Sequence, residues 1–238
     1  LVAVASDVDG EPSGGRVKTI GVLGGMGPAA SVDFLSRLVA MTPASCDQEH
    51  PPVLLYSASH VPDRTTHLEG RGPDPGPEMQ RAARVLESGG ADFLVMPCNT
   101  AHAYLERVRE AVSIPVLDMI GLAVDAVCAR HPEGASIGVL AATGTVKLRL
   151  YASRLEARGR VPLLPDDQDS VMAAIRAVKG GRRGPDERLH DAIARLAERG
   201  AVGLILGCTE LPLAVALDAV PVPCVDAGGE LIRASLRQ

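Results

Sequence analysis

Two cysteines, Cys98 and Cys208, stand at matching places in two copies of one sequence pattern. In the first copy, Ile20-Gly21-Val22-Leu23 is followed by Phe93-Leu94-Val95-Met96-Pro97-Cys98-Asn99-Thr100 and then by Ile114-Pro115-Val116-Leu117-Asp118. In the second, Ile137-Gly138-Val139-Leu140 is followed by Leu204-Ile205-Leu206-Gly207-Cys208-Thr209-Glu210 and then by Val222-Pro223-Cys224-Val225-Asp226. Ile137 lies 117 positions after Ile20, Cys208 110 after Cys98, and Val222 108 after Ile114. Three matched segments at a nearly constant offset point to duplication of a whole folding unit, a period far longer than the roughly 20–50 residues of solenoid repeats. Two thiols delivered by pseudo-symmetric halves would face one cleft from opposite sides. That geometry takes a proton from one face of a carbon and returns it to the other.

Each cysteine follows an apolar run and precedes polar residues suited to cap a helix: Asn99 and Thr100 after Cys98, Thr209 and Glu210 after Cys208. A helix N-terminus favours negative charge and can lower a thiol pKa to the range ~3.5–7.5, which makes the thiolate a usable carbon base. Asn99, Thr100 and Thr209 can also donate hydrogen bonds to a substrate carboxylate. A free cysteine taken singly is most often a buried small hydrophobe. Cys46, Cys128 and Cys224 lack the duplicated context and are read as structural.

The elements that must position these thiols alternate between apolar runs and amphipathic segments, the pattern of βαβ units around a parallel sheet. In the first half, strands are expected over 17–23, 53–57, 92–96 and 114–117. Helices follow the glycine turn to about 41 and run over 78–88, 100–112 and 120–130. The second half restarts with strands at 136–140, 161–164, 203–206 and 222–225. Its helices are expected over 145–158, 169–178, 186–199 and 229–236. The expected architecture is α/β, with two pseudo-symmetric flavodoxin-like domains, each a parallel sheet flanked by helices. Residues 1–16 form a polar, glycine-rich extension, 17–118 the first domain and 119–226 the second, while a terminal helix over about 227–238 packs back onto the first. Ligands of open parallel sheets bind at the carboxyl ends of the strands, which places the active site in the cleft between the domains.

With 238 residues, 46% of them hydrophobic and 22% charged, the chain can build two cores of ordinary domain size. A formal charge of −5 and only five aromatic residues (Phe34, Tyr56, Phe93, Tyr104 and Tyr151) argue against nucleic acid as a partner. No apolar stretch approaches the ~20 residues of a membrane span, and the apolar start Leu1-Val2-Ala3-Val4-Ala5 is too short for a signal-peptide core. The five cysteines are widely spaced without CxxC, so neither a disulfide framework nor a zinc site is expected, and a reducing cytoplasm is. The six histidines form no HxH or HExxH spacing, and no metal is expected.

The same residues carry a family resemblance. Gly24-Gly25-Met26-Gly27-Pro28, Asp47-Gln48-Glu49-His50-Pro51, Pro62-Asp63-Arg64-Thr65, Met96-Pro97-Cys98-Asn99-Thr100-Ala101-His102 and Gly207-Cys208-Thr209-Glu210 together resemble the aspartate/glutamate racemase family, the cofactor-independent amino-acid racemases, and within it the aspartate racemases. The similarity runs from about Val17 to the C-terminus. It implies a two-base racemisation without pyridoxal phosphate or any other cofactor: one thiolate removes the α-proton and the opposite thiol protonates the carbanion, with Cys98 and Cys208 exchanging roles by direction. It further implies that Arg64 and Lys179 hold a side-chain carboxylate, and that Asn99, Thr100 and Thr209 serve the α-carboxylate. Met26, Gly27, Thr143 and Thr145 are expected to complete the substrate site. The expected partner is a small amino acid, and the expected assembly a homodimer. One stretch departs from the family pattern: Ser57-Ala58-Ser59-His60 stands where similar racemases carry asparagines. Either His60 replaces a lost amide contact near the substrate or it faces solvent.

Other signals in the sequence compete with this reading. Gly25-Met26-Gly27-Pro28-Ala29-Ala30 fits G-x-G-x-x-A after a strand, with Asp47 and Glu49 roughly twenty residues on, as in a dinucleotide fingerprint. The duplicate turn Ala141-Ala142-Thr143-Gly144-Thr145 lacks that fingerprint, and a nicotinamide enzyme would leave the paired cysteines unexplained. A maleate-isomerase-like or decarboxylase-like enzyme of the same superfamily would also use a thiol, though decarboxylation needs only one proton donor. A dicarboxylate-binding module that kept the fold and lost turnover is the alternative from another class.

Overall fold

The alternating segments form two parallel sheets in the computed structural model, which describes residues 16–238. The extension expected over 1–16 lies outside the described residues except for Arg16. In the first half, β1 (Ile20–Gly24) is central, with β2 (Val53–Ser57) on one side and β3 (Phe93–Val95) on the other. In the second, β4 (Ser136–Ala141) pairs with β5 (Val161–Leu163) and with β6 (Gly203–Gly207), and β7 (Cys224–Asp226) lies outside β6. Ile20 is in register with Val53 and Phe93, and Ile137 with Gly203. β1 and β6 are buried throughout, as parallel strands covered on both faces must be.

The duplication extends to single contacts. A side chain at Gly21 would collide with Leu94, and one at Gly138 would collide with Leu204, the equivalent pair in the second half. Each glycine lets the neighbouring strand's leucine lie flat across the first strand of its sheet.

Helices sort into layers by the core they cover. α1 (Pro28–Met41), α5 (Met119–Cys128), α7 (Ala152–Glu156) and α10 (Ala227–Ser235) share one core with residues of both sheets, including Ile20, Val22, Ile137, Val139 and Ile205. α3 (Gly76–Ser88) and α4 (Leu105–Arg109) cover the outer face of the first sheet through Met79, Ala82, Leu86 and Val108. α8 (Gln168–Lys179) and α9 (Glu187–Glu198) cover that of the second through Val171, Ile175, Leu189 and Ile193. α10 packs on α1 and α5, with Asp226 capping its first turn and pairing with Arg37 of α1.

Several expected elements are shortened at their ends, among them the strands expected over 17–23 and 92–96, and three differ in kind. The strand expected over 114–117 is a single parallel bridge between Leu94 and Val116, because Pro115 offers a carbonyl to Leu94 but no N–H. The helix expected over 100–112 begins as a 3₁₀ segment, Thr100–Tyr104, before α4. The helix expected over 145–158 is two short ones, α6 (Thr143–Lys147) and α7, separated where Arg149 turns to φ 53°. Among the described residues no helix is long and apolar enough to cross a membrane.

Candidate active site

The carboxyl ends of both sheets open onto one cavity of about 720 Å³. Cys98 reaches it from the turn after β3 and Cys208 from the turn after β6, so both sulfurs line the same space. Both cysteines are buried, at 8% and 7% exposure, and both are free thiols. Of the remaining expected contacts, Met26, Arg64, Asn99, Thr100, Thr143, Lys179 and Thr209 also line the cavity. Gly27 and Thr145 do not. An added Cβ at Gly27 would sit 3.8 Å from Glu210 Oε1, and the Thr145 hydroxyl is turned onto that of Thr100 at 2.9 Å.

The Cys98 turn is held from behind. Cys98 N–H closes onto the Met96 carbonyl at 2.7 Å, and buried His102 is bonded through Nδ1 to the Cys98 carbonyl at 2.9 Å. His102 Nε2 accepts from the Met119 N–H at 3.1 Å, which fixes the proton on Nδ1. Burial lowers the His102 pKa, against the pull of the Cys98 carbonyl and Asp118. The imidazole is therefore a neutral strut between the cysteine turn and α5. Asn99 accepts a hydrogen bond from the Tyr151 hydroxyl at Oδ1, while its Nδ2 is buried without a partner.

At Cys208 the expected thiol activation by a helix is not found. The following segment is a 3₁₀ turn of three residues, Leu211–Leu213, and neither Thr209 nor Glu210 caps it with a side chain. So short a segment has no macrodipole to speak of. Instead the Cys208 thiol donates to Glu210 Oε2 at 3.0 Å, and the Thr209 hydroxyl to the same oxygen at 3.3 Å. Burial, then the Glu210 charge, push the Cys208 pKa well above the ordinary thiol range, opposed by Lys179. The sequence reading expected a lowered value. The reversal arises first from burial of the sulfur and then from a carboxylate, which favours the protonated thiol, at a turn where helix N–H groups were expected. After Cys98, too, the chain enters a 3₁₀ segment with no side-chain cap.

Two cations flank the thiols in different ways. Lys179 ends α8 half-exposed, with Nζ 4.0 Å from Glu210 Oε1. Burial works against its charge but is outweighed by Glu210 and the two cysteines, so its pKa is raised. Arg64, buried at the start of α2 (Arg64–Leu68), spends its guanidinium on the chain itself. Nη1 donates to the carbonyls of Val61 at 3.3 Å and Pro62 at 3.1 Å, and Nη2 to that of Met26 at 3.1 Å, leaving buried Nε without a partner. Arg64 thus joins the glycine turn after β1 to the start of α2 as well as lending the cavity positive charge.

His60 turns away. It pairs with Glu78 at 3.2 Å and Arg81 at 2.8 Å on the outer surface, and it is not part of the cavity wall. Its neighbour Ala58 is fully buried and leaves no room beside Gly25, whose φ of 87° suits glycine. Three polar residues acquire a place that the sequence did not give them: Glu210, read as a cap; His102, quoted only within its motif; and Tyr151. The first two sit in the cysteine motifs and were visible there. Tyr151 carries no local signal, since its partner is 52 positions away. Among the described residues no group of three or more metal-ligating side chains comes together.

The family model described as Asp/Glu/Hydantoin racemase matches residues 23–234. A broad-specificity amino-acid racemase, RacX, of Bacillus subtilis is 26% identical over 227 residues, covering 91% of this chain and 96% of its own. A glutamate racemase of Pseudomonas aeruginosa is 32% identical over 195 residues, 79% of this chain and 67% of its own. The solved structure of Picrophilus torridus aspartate racemase superposes with a TM-score of 0.81 at 28% identity, covering 92% of this chain and 93% of that one.

Proposed function

Starting from the fact that the chain belongs to the Asp/Glu/Hydantoin racemase family, we propose that it interconverts L- and D-aspartate, or a related acidic amino acid, by two-base proton transfer between Cys98 and Cys208. The observation that carries this reading is the delivery of two thiols into one cavity from equivalent strand ends of two sheets. A single-base reaction would need only one.

The proposed step balances without an added reagent. One sulfur, as thiolate, takes the α-proton, and the C–H electrons pass onto the α-carboxylate as a planar carbanion. The opposite S–H then gives its proton to the other face, leaving that sulfur as the thiolate. The Cys208 thiol donates to Glu210 Oε2, so Glu210 stands where it can take that proton when Cys208 acts as base and return it when Cys208 acts as acid. Asn99 Nδ2 is a donor for the α-carboxylate, the Thr100 hydroxyl is another when Thr145 donates to it, and the Thr209 hydroxyl serves by turning from Glu210. Lys179 is a mobile point charge for a distal carboxylate, and Arg64 adds positive potential from behind the wall. A distal carboxylate at Lys179 competes with Glu210 for the same ammonium.

A second reading is a wider choice of amino acids. It is favoured by the engagement of Arg64 with three backbone carbonyls, which leaves Lys179 as the more available cation. Similarity to the broad-specificity enzyme of Bacillus subtilis points the same way. The experiment is incubation with single L-amino acids in heavy water without added cofactor. Deuterium at the α-carbon together with the D-enantiomer is expected, fastest with aspartate. Comparable rates for neutral and acidic amino acids favour the wider range, and no α-deuteration of any of them refutes racemase chemistry.

A further inference from the structure

Tyr151 heads the fully buried side chains by size and lies at the entry to α7, in the second half of the chain. Its hydroxyl donates to Oδ1 of Asn99, the residue after Cys98. Its ring covers Gly207, the residue before Cys208, so closely that a Cβ built there would fall 2.6 Å from a ring carbon. One rigid side chain therefore touches both cysteine turns. Its environment of burial, Asp226 and Cys208 raises the phenol pKa well above the ordinary value, so the hydroxyl stays a donor.

We infer that Tyr151 is a positioning residue, which sets the two cysteine turns against each other and fixes the orientation of the Asn99 amide. The inference rests on the racemase reading of the cavity. The Tyr151 hydroxyl donates to Oδ1 of Asn99, and this pairing leaves Nδ2, buried and unpartnered in a residue that lines the cavity, to donate elsewhere. An amide free to flip would offer a carbonyl oxygen to a carboxylate half of the time. Gly207 is equally determined: no side chain fits between the strand end and the ring.

The test is a double-mutant cycle on the full chain, read both by calorimetric binding of L-aspartate and by racemisation. Tyr151→Phe keeps the ring over Gly207 and removes only the donor. It should weaken aspartate binding and raise KM about tenfold, with a smaller change in kcat. Asn99→Ala should do the same, and adding Tyr151→Phe to it should cost nothing further. Tyr151→Leu, which also loses the ring, should depress racemisation more than α-deuterium exchange of a single enantiomer, because exchange needs one aligned thiol and racemisation needs two. Additive Tyr151→Phe and Asn99→Ala effects on binding would overturn the positioning role, as would an unchanged ratio of racemisation to exchange in Tyr151→Leu. If Tyr151→Leu fails to fold, the cycle with Tyr151→Phe decides. A wild-type protein that binds aspartate with this coupling but never racemises it would overturn the racemase reading and leave the positioning role standing.

Discussion

The Cys208 thiol donates to Glu210 Oε2 across 3.0 Å, and Lys179 Nζ stands 4.0 Å from the other oxygen of the same carboxylate. The three groups form a short chain of acid, base and counter-charge at the cavity wall. The carboxylate favours S–H over S⁻, and the ammonium opposes it. Removing either neighbour should therefore move the thiol in opposite directions.

Alkylation of Cys208, followed by peptide mass spectrometry as a function of pH, measures this. In the wild type the midpoint should lie well above that of an ordinary thiol, about 8.5. Glu210→Gln should bring it down, because a negative charge no longer opposes the thiolate. Lys179→Ala should raise it further. A midpoint unchanged in Glu210→Gln would show that the carboxylate does not govern the sulfur.

Cys98→Ser and Cys208→Ser should each abolish racemisation while retaining the fold, since serine fits either site and a hydroxyl is a far weaker acid and base than a thiol. One remaining thiol still faces one side of the carbon. Each variant should then keep partial α-deuteration of one enantiomer, with opposite preferences in the two. Near-wild-type interconversion by either variant would remove that cysteine from the mechanism.

Arg64 and Lys179 carry the same charge and should behave differently. Arg64→Ala strips donors from three backbone carbonyls and should cost about 2–3 kcal/mol of stability, read by denaturant unfolding. Arg64→Lys should recover only part of it, since an ammonium cannot reproduce the planar fork. Lys179→Ala should stay within about 0.5 kcal/mol of wild type. It should raise the KM for aspartate about ten- to a hundredfold with little change for alanine. Equal effects on both amino acids would refute recognition of a distal carboxylate.

His102 gives the fold a pH dependence of known sign. Its pKa is lowered in the folded state, chiefly by burial, so the unfolded chain binds the extra proton first. The stability it contributes is complete above the unfolded pKa of about 6.5 and falls as pH drops toward and through the lower folded value, by at most about 1.4 kcal/mol per pH unit. His102→Gln should flatten the decline below pH ~6.5 in thermal melts, even if its plateau is lower. An identical slope in both proteins would show that the proton is taken up elsewhere.

How much of this was legible beforehand follows from the range of each interaction. The duplication, the two parallel sheets and the two cysteines at their carboxyl ends were written in short apolar runs and in matching offsets. Burial of a strand on both faces imposes a local composition, so Ile20–Gly24 and Gly203–Gly207 announce themselves without knowledge of their neighbours. Helix boundaries after the cysteines were less legible. The residues suited to capping spend their side chains elsewhere, Asn99 on Tyr151 and Glu210 on Cys208. Only the tertiary structure decided the protonation bias of Cys208, the commitment of Arg64 to carbonyls and the outward turn of His60. The burial of Cys208, the Met26 carbonyl that Arg64 meets and the Glu78 and Arg81 side chains that hold His60 outward all come from the folding of distant segments, which composition and spacing do not encode. A residue type states what a side chain is able to do; its neighbours in the folded chain select which of those things it does.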